Sequence, residues 1–348
     1  MAYSSISKPS LHFNTKLYTG NGGTQSITGV GFQPDMIWCK ARSYNDDHTI
    51  TDAVRGNTKV IYPNGPAAEA TSSSRITAFD SDGFSLGNSG DVNSNSATYV
   101  AWNWKANGAG SANTAGDINS TVSVNTTAGL SIVKWTGSGS VATIGHGLGV
   151  APRMIIVKNL GTNQAWPVDC RTISGTMYLD ETGTKQSYAN NSPIPADAPT
   201  STIFYVGSAN NGNQSGQPMI AYCFAEKQGY SKSGSYIGNG RDDGTFVYTG
   251  FKPAFVIYKN SSSTGNWYVF DNKRSPLNVA QTYVKTNANA AEDATSSDIR
   301  LDFLSNGFKM RGANNAQSNH SGNTYFYMAF AEEPLVANVG QSIPATAR

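Results

Sequence analysis

The stretch YTGNGGTQSITGVGFQPDMIWCKAR, residues 18–42, decides how this chain is read. Its glycines suggest at first a loop that cradles a phosphate. Such a loop leads from a strand into a helix N-terminus, where N–H groups converge on the anion and a lysine with Ser or Thr follows directly. Here GNGG is followed by TQSITGVGF, which alternates as a strand does and holds no lysine. The stretch therefore reads as a hairpin turn whose Asn and Gly accept positive φ.

The same shape returns at WTGSGSVATIGHGLGVAPRMIIVK, residues 135–158, and at YIGNGRDDGTFVYTGFKPAFVIYK, residues 236–259. In each copy an aromatic residue (Tyr18, Trp135, Tyr236) precedes a proline (Pro34, Pro152, Pro253) by sixteen or seventeen residues, and a lysine (Lys40, Lys158, Lys259) follows the proline by six. Downstream, Asp52 and Arg55 in DAVR match Asp271 and Arg274 in DNKR, and more loosely Asp169 and Arg171 in DCR. His48, Trp166 or Trp267 stands shortly before each aspartate. AEATSSSRITAFDSDGF (residues 68–84) parallels AEDATSSDIRLDFLSNGF (residues 291–308), and the middle copy lacks this Gly-Phe signature. Apolar runs around Ala101, Ala221 and Ala329 close the copies. Copies of roughly 100 residues can each close a core of their own, so they read as tandem domains rather than solenoid repeats.

MIWCK, MIIVK and FVIYK are continuous apolar runs bounded by a turn proline and by polar residues, the pattern of strands buried on both faces. Turn signals such as YPNGP, SDGF, SNGF and NNGN are dense. The expected fold is all-β: three tandem antiparallel β-sandwich domains of jelly-roll-like kind. Their limits are residues 13–107, 108–228 and 229–335, the second opening with a linker whose STVSV adds an edge strand. Residues 1–12 form an N-terminal arm, read either as docking to a neighbouring protein or as frayed, and 336–348 form a tail. Only short helical turns are expected, for instance at 65–70 or 277–286.

Charged residues are 14% of the chain, and 25 Lys and Arg face 23 Asp and Glu with no basic cluster, so no nucleic-acid footprint is visible. No stretch has secretory character or the length of a membrane span, and no membrane insertion is expected. Cys39, Cys170 and Cys223 lack CxxC spacing and read as buried free thiols, ahead of a zinc site or a disulfide framework.

For catalysis the chain offers neither GxSxG nor HExxH, and no cofactor is expected. The Asp–Arg pairs recur between copies, as a structural ion pair or loop brace does. His12, His48, His146 and His320 do not pair at metal-ligand spacing; Asp46-Asp47-His48 reads as a solvated loop, and no metal site is assigned. DSDG, residues 80–83, places two carboxylates around a turn and leaves calcium open. Trp38, Trp102 and Trp104 lie in expected strands and read as core. Trp166 and Trp267, beside polar loops, and His48 are the candidate ligand or receptor surface.

The block YTGNGGTQSITGVGFQPDMIWCKAR, then DAVRG, DGF and YVAWNWKANG, resembles a group of tailed-bacteriophage structural proteins common in marine phages, labelled tail-fibre or virion structural proteins. The likeness covers residues 13–159 directly and the remainder through the repeat. It implies a non-enzymatic, β-rich component on the exterior of the phage particle. It also implies association with other virion proteins, a homo-oligomer with a trimer favoured, and contact with a host surface glycan or receptor. No catalytic residue is carried over. A capsid decoration protein is the alternative reading, and a glycan-degrading appendage enzyme the second alternative.

Overall fold

The computed structural model describes residues 4 and 6–334. Nearly all of its regular structure is strand, in antiparallel sheets, as the sequence leads one to expect of an all-β sandwich fold. Each sequence copy builds a main sheet with one strand order. An opening strand (Phe13–Thr19, Leu130–Thr136, Ser231–Ile237) pairs with the closing strand (Thr98–Trp104, Pro218–Phe224, Thr324–Pro334). The closing strand pairs with the post-proline strand (Met36–Ala41, Met154–Asn159, Phe251–Asn260), which pairs with the aspartate strand (Thr49–Asp52, Pro167–Cys170, Trp267–Asp271). A smaller sheet covers each: Gln25–Thr28, Gly83–Leu86 and Ile76–Asp80 in the first unit; Ala142–Gly145 and Ile203–Val206 in the second; Phe246–Tyr248, Gly307–Met310 and Leu301–Leu304 in the third.

The post-proline strands are buried on both faces, and the alternation of side chains shows what covers each. Ile37 and Cys39 pack with Phe84 and Leu86 of their own small sheet. Ile155 and Val157 pack with Phe204 and Val206, and Val256 and Tyr258 with Phe308 and Met310. The alternate residues, Met36 and Trp38, Met154 and Ile156, Phe255 and Ile257, all enter one further core to which all three units contribute. At its middle, Trp104 meets Phe224 with ring centres 6.4 Å apart and Phe330 at 5.8 Å, and Phe224 meets Phe330 at 5.9 Å. The units were expected to close cores separately. Instead each main sheet is a middle layer between its own small sheet and this shared core.

Register refines the sequence alignment. Tyr327, not Ala329, takes the place of Ala101 and Ala221 in the closing strand. It lies over Gly234, where any Cβ would come within 2.6 Å of the tyrosine ring. STVSV lies inside a seven-stranded sheet between Ser111–Asn113 and Leu130–Thr136, not at an edge. Pro253 sits at an irregularity within its strand rather than before it. No helix forms at 65–70 or 277–286; the four-residue helical turns are Gly90–Asn93 and Asn210–Asn213. The N-terminal segment packs back on the units, with Ile6 in the shared core. The expected tail, 336–348, lies outside the described residues.

The glycines of the opening stretch answer to a buried asparagine. Asn93, at the end of its helical turn, donates to Gly23 O and Gly87 O and accepts from the Asn21 N–H at 2.9 Å. Asn213 and Asn319 do the same work in the other units, accepting from the N–H groups of Ser138 and Asn239. The first glycine of each turn lets the backbones touch: a Cβ on Gly20, Gly137 or Gly238 would lie 2.1–2.2 Å from the carbonyl oxygen of Ser94, Gln214 or His320. The second, Gly22, Gly139 or Gly240, has φ of +69° to +77°.

A main sheet apolar on both faces cannot stand with one face bare. Residues 108–228 expressed alone are therefore expected to show no cooperative urea transition, while the whole chain unfolds in one, followed by tryptophan fluorescence and circular dichroism. Separate transitions for the three units would contradict the shared core.

Candidate functional site

The three residues expected at a receptor surface, His48, Trp166 and Trp267, are all 0% exposed. They occupy one equivalent position, two residues before Ile50, Val168 and Val269, and each reaches into another unit. The Trp166 Nε1–H donates to the Gly65 carbonyl at 3.0 Å, and the Trp267 Nε1–H to the Tyr178 carbonyl at 2.7 Å. His48 Nε2 lies 3.0 Å from the Lys285 carbonyl. A carbonyl only accepts, so the His48 proton is on Nε2, and Nδ1 accepts from the Trp38 Nε1–H at 3.0 Å. Burial, and then the Lys40 charge, push the His48 pKa well below its ordinary value, so the ring is neutral.

Backbone bonds repeat the pattern. Two residues before each ring, the N–H of Asp46, Gln164 or Gly265 donates to Asn289, Pro66 or Thr182 across the joint at 2.8–2.9 Å. In return Glu292, Glu69 and Lys185 donate their N–H groups to Arg42, Leu160 and Ser261 at 2.9–3.1 Å. The first unit thus reaches the third, the third the second, and the second the first: a closed head-to-tail ring made within one chain. Lys40, Lys158 and Lys259 are buried beside these joints, where desolvation lowers each to about 8. The Lys158 ammonium donates to Pro66 O at 2.8 Å and Gln164 O at 2.7 Å, and Lys259 donates to Gly265 O.

The Asp–Arg pairs belong to the same joints. Arg55 Nε is 2.5 Å from Asp52 Oδ2, both side chains fully buried, and the Tyr222 hydroxyl of the second unit donates to that oxygen at 2.7 Å. Burial works against the Arg55 charge, but Asp52, Tyr222 and Glu69 more than offset it. Arg274 and Asp271 repeat the geometry at 2.5 Å, with the Trp102 Nε1–H of the first unit as donor at 3.1 Å. Glu292 beside Arg274 is held from the first unit by Arg42, through two bonds of 2.9 Å.

The third joint is built differently. Asp52 and Asp271 stand opposite Met36 and Phe255; in the second unit the residue opposite Met154 is Cys170, not Asp169. Three residues on, Ile173 replaces arginine, and at the place of Trp102 and Tyr222 the third unit has Met328. Cys170, Ile173 and Met328 all lie in the shared core, so an apolar set stands where the other joints are polar. Asp169, one residue earlier, faces the opposite side of its sheet, where it pairs with Arg171 at 2.7 Å and accepts from Tyr188 at 2.7 Å.

The family described as a domain of unknown function, DUF7483, matches residues 8–334. The chain belongs to this family. The match runs across all three units and their joints. No curated protein and no solved structure matches the chain.

The Asp–Arg pairs, read from the sequence as structural ion pairs or loop braces, are buried ion pairs in the first and third units; their donors, Tyr222 and Trp102, and the asparagines that clamp the turns do not show in the sequence reading. The signal for the asparagines was present: Asn93 and Asn319 each stand six residues before a tyrosine of the closing strand, Tyr99 or Tyr325. The carboxylates of DSDG are used within the chain. Asp82 accepts the Gly29 and Gly31 N–H groups at 2.9 and 2.7 Å, bonds that lower its pKa, and Asp80 accepts from Ser85. So the glycine-rich stretch does bind an anion, a carboxylate of its own unit. Among the described residues no group of three or more His, Cys, Asp or Glu is placed to hold a metal.

Removing one member of a fully buried pair leaves the other charge unmatched, at a cost of about 3–5 kcal/mol, whereas an apolar replacement of the whole set is often neutral. Asp52→Ala is accordingly expected to lower the urea-unfolding free energy by about that much. The combination Asp52→Cys, Arg55→Ile and Tyr222→Met, which copies the apolar joint, is expected to recover most of it. A triple variant no more stable than Asp52→Ala would refute the equivalence of the joints.

His48 has its folded pKa below that of the unfolded chain, so the unfolded state binds more protons below about pH 6.5 and stability falls as pH falls. His48→Gln can keep both hydrogen bonds without titrating. Between pH 6.5 and 5 the wild type is expected to lose up to about 1.4 kcal/mol per pH unit more than this variant, compared by urea unfolding at each pH.

Proposed function

We propose that this chain is a non-enzymatic structural protein on the exterior of a bacteriophage particle, a tail-fibre or appendage subunit serving host attachment. The observation that carries the reading is the likeness of residues 13–159 to phage virion proteins, through motifs whose residues build the joints. Lys40, Asp52, Arg55 and Trp102, all in the resembling block, sit at the contacts between units. The side chains with chemical potential at these places are occupied in holding the body together: all six tryptophans are buried, and the Asp–Arg pairs are saturated.

Assembly with other virion proteins, and a homotrimer, belong to this reading. The flat sheet faces that a fibre trimer would bury are covered here within one chain, so copies would associate through other surfaces. A capsid decoration protein is the second reading, favoured by the closed ring of units in place of an elongated shaft.

Immunogold labelling of purified particles tests both. Label on the tail is expected; label confined to the head would select decoration, and unlabelled particles would defeat both. Release of oligosaccharide from host polymer by the pure protein would replace them with a glycan-cleaving function.

A further inference from the structure

The most exposed aromatic side chains among the described residues are Phe246 at 44% and Tyr248 at 48%. They lie on one short outer strand of the third unit, Phe246–Tyr248, either side of the buried Val247. Alternate residues of a strand share a face and stand about 7 Å apart, so the two rings point outward side by side. Ile237, 62% exposed, adjoins them: its carbonyl accepts from the Thr245 hydroxyl at 2.7 Å.

The fold does not require these rings. Val247 pairs with Phe308 as Ile27 pairs with Phe84 and Ile144 with Phe204. The equivalents of Phe246 and Tyr248 are therefore Ser26 and Thr28 in the first unit, and Thr143 and Gly145 in the second. Thr19 and Thr136 stand where the third unit has Ile237. Three aligned positions, polar or small in two units, are apolar and exposed in the third.

Beside the rings runs a groove of about 400 Å³, lined by Tyr248 together with Glu226, Lys227, Gln228, Lys232 and Thr249. The Lys232 ammonium donates to the Tyr248 carbonyl at 3.0 Å and lies 5.3 Å from the centre of its ring. A lysine on a strand edge blocks the addition of a further strand, which disfavours an extended peptide as occupant. Two lysines with one glutamate make no basic track for a phosphate backbone, which disfavours nucleic acid. What remains is the Tyr248 ring, with Phe246 beside it on the strand, next to a carboxylate, an ammonium and an amide. That combination matches a saccharide, whose C–H faces stack on rings while its hydroxyls both donate and accept.

We propose that the Phe246–Tyr248 edge and its groove form a glycan-binding site that contacts a host surface saccharide; this deepens the attachment reading and rests on it. The test uses the whole chain on a printed array of bacterial surface polysaccharides and of glucan, mannan, galactan and chitin oligosaccharides. Binding to at least one glycan class is expected. Phe246→Ser with Tyr248→Thr, the residues of the first unit, is expected to weaken it at least tenfold with an unchanged urea midpoint, while Tyr248→Phe, which keeps the ring, retains it within a few-fold. Absence of binding to every glycan, or a double variant that binds as well as wild type, would overturn the proposal. So would a double variant that fails only to join particles, since the edge would then contact a virion protein. Particle labelling separates the two ideas: a labelled tail with an unaffected double variant sinks this site alone, and unlabelled particles with ring-dependent glycan binding sink the attachment reading alone.

Discussion

A β-sheet whose strands are apolar on both faces has to be covered twice. In this chain the smaller sheet of each unit covers one face, and only the other two units are available for the second. Met36, Trp38, Trp102 and Trp104 on one sheet, and their counterparts on the others, leave the three no arrangement except around each other. The closed ring follows from that constraint. So does the burial of polar groups along it, since loops joining strands at the rim are carried into the contact.

Those buried polar groups had to be satisfied, and the chain does it chiefly with backbone. The same N–H to carbonyl bonds recur at all three joints, while the side chains beside them vary: Trp, Trp and His at one position; Asp with Arg, Asp with Arg, and Cys with Ile at another. Two joints carry a buried ion pair with an aromatic donor from across the contact, and the third dispenses with charge. A fully buried ion pair gives little net stability over a well-packed apolar set, which explains how one backbone geometry accommodates both.

The sequence made the strands, the turns and the threefold repetition legible, because turn chemistry and continuous apolar runs are local signals. It did not make the covering of the second face legible. Trp166 and Trp267 neighbour polar loops, which normally mark a surface, yet those loops pair with loops of another unit. Asp169 was matched with Asp52 because aspartate looks like aspartate. One residue of register turns a strand side chain to the other face, so Cys170 is the true counterpart. Trp102 reads as a core aromatic and is buried, but its indole N–H and the Tyr222 hydroxyl have partners 169 and 170 residues away, beyond any local pattern.

Because backbone carries the ring, the outward positions of each unit are free to change without loosening it. The small sheets illustrate this: Ile27, Ile144 and Val247 keep the inward apolar place, while the outward neighbours run from serine and threonine to phenylalanine and tyrosine. A body with three similar arms would offer a partner three similar surfaces. Confining exposed rings to one arm gives it a single distinguished side, so threefold repetition supplies the frame and its local breaking supplies direction.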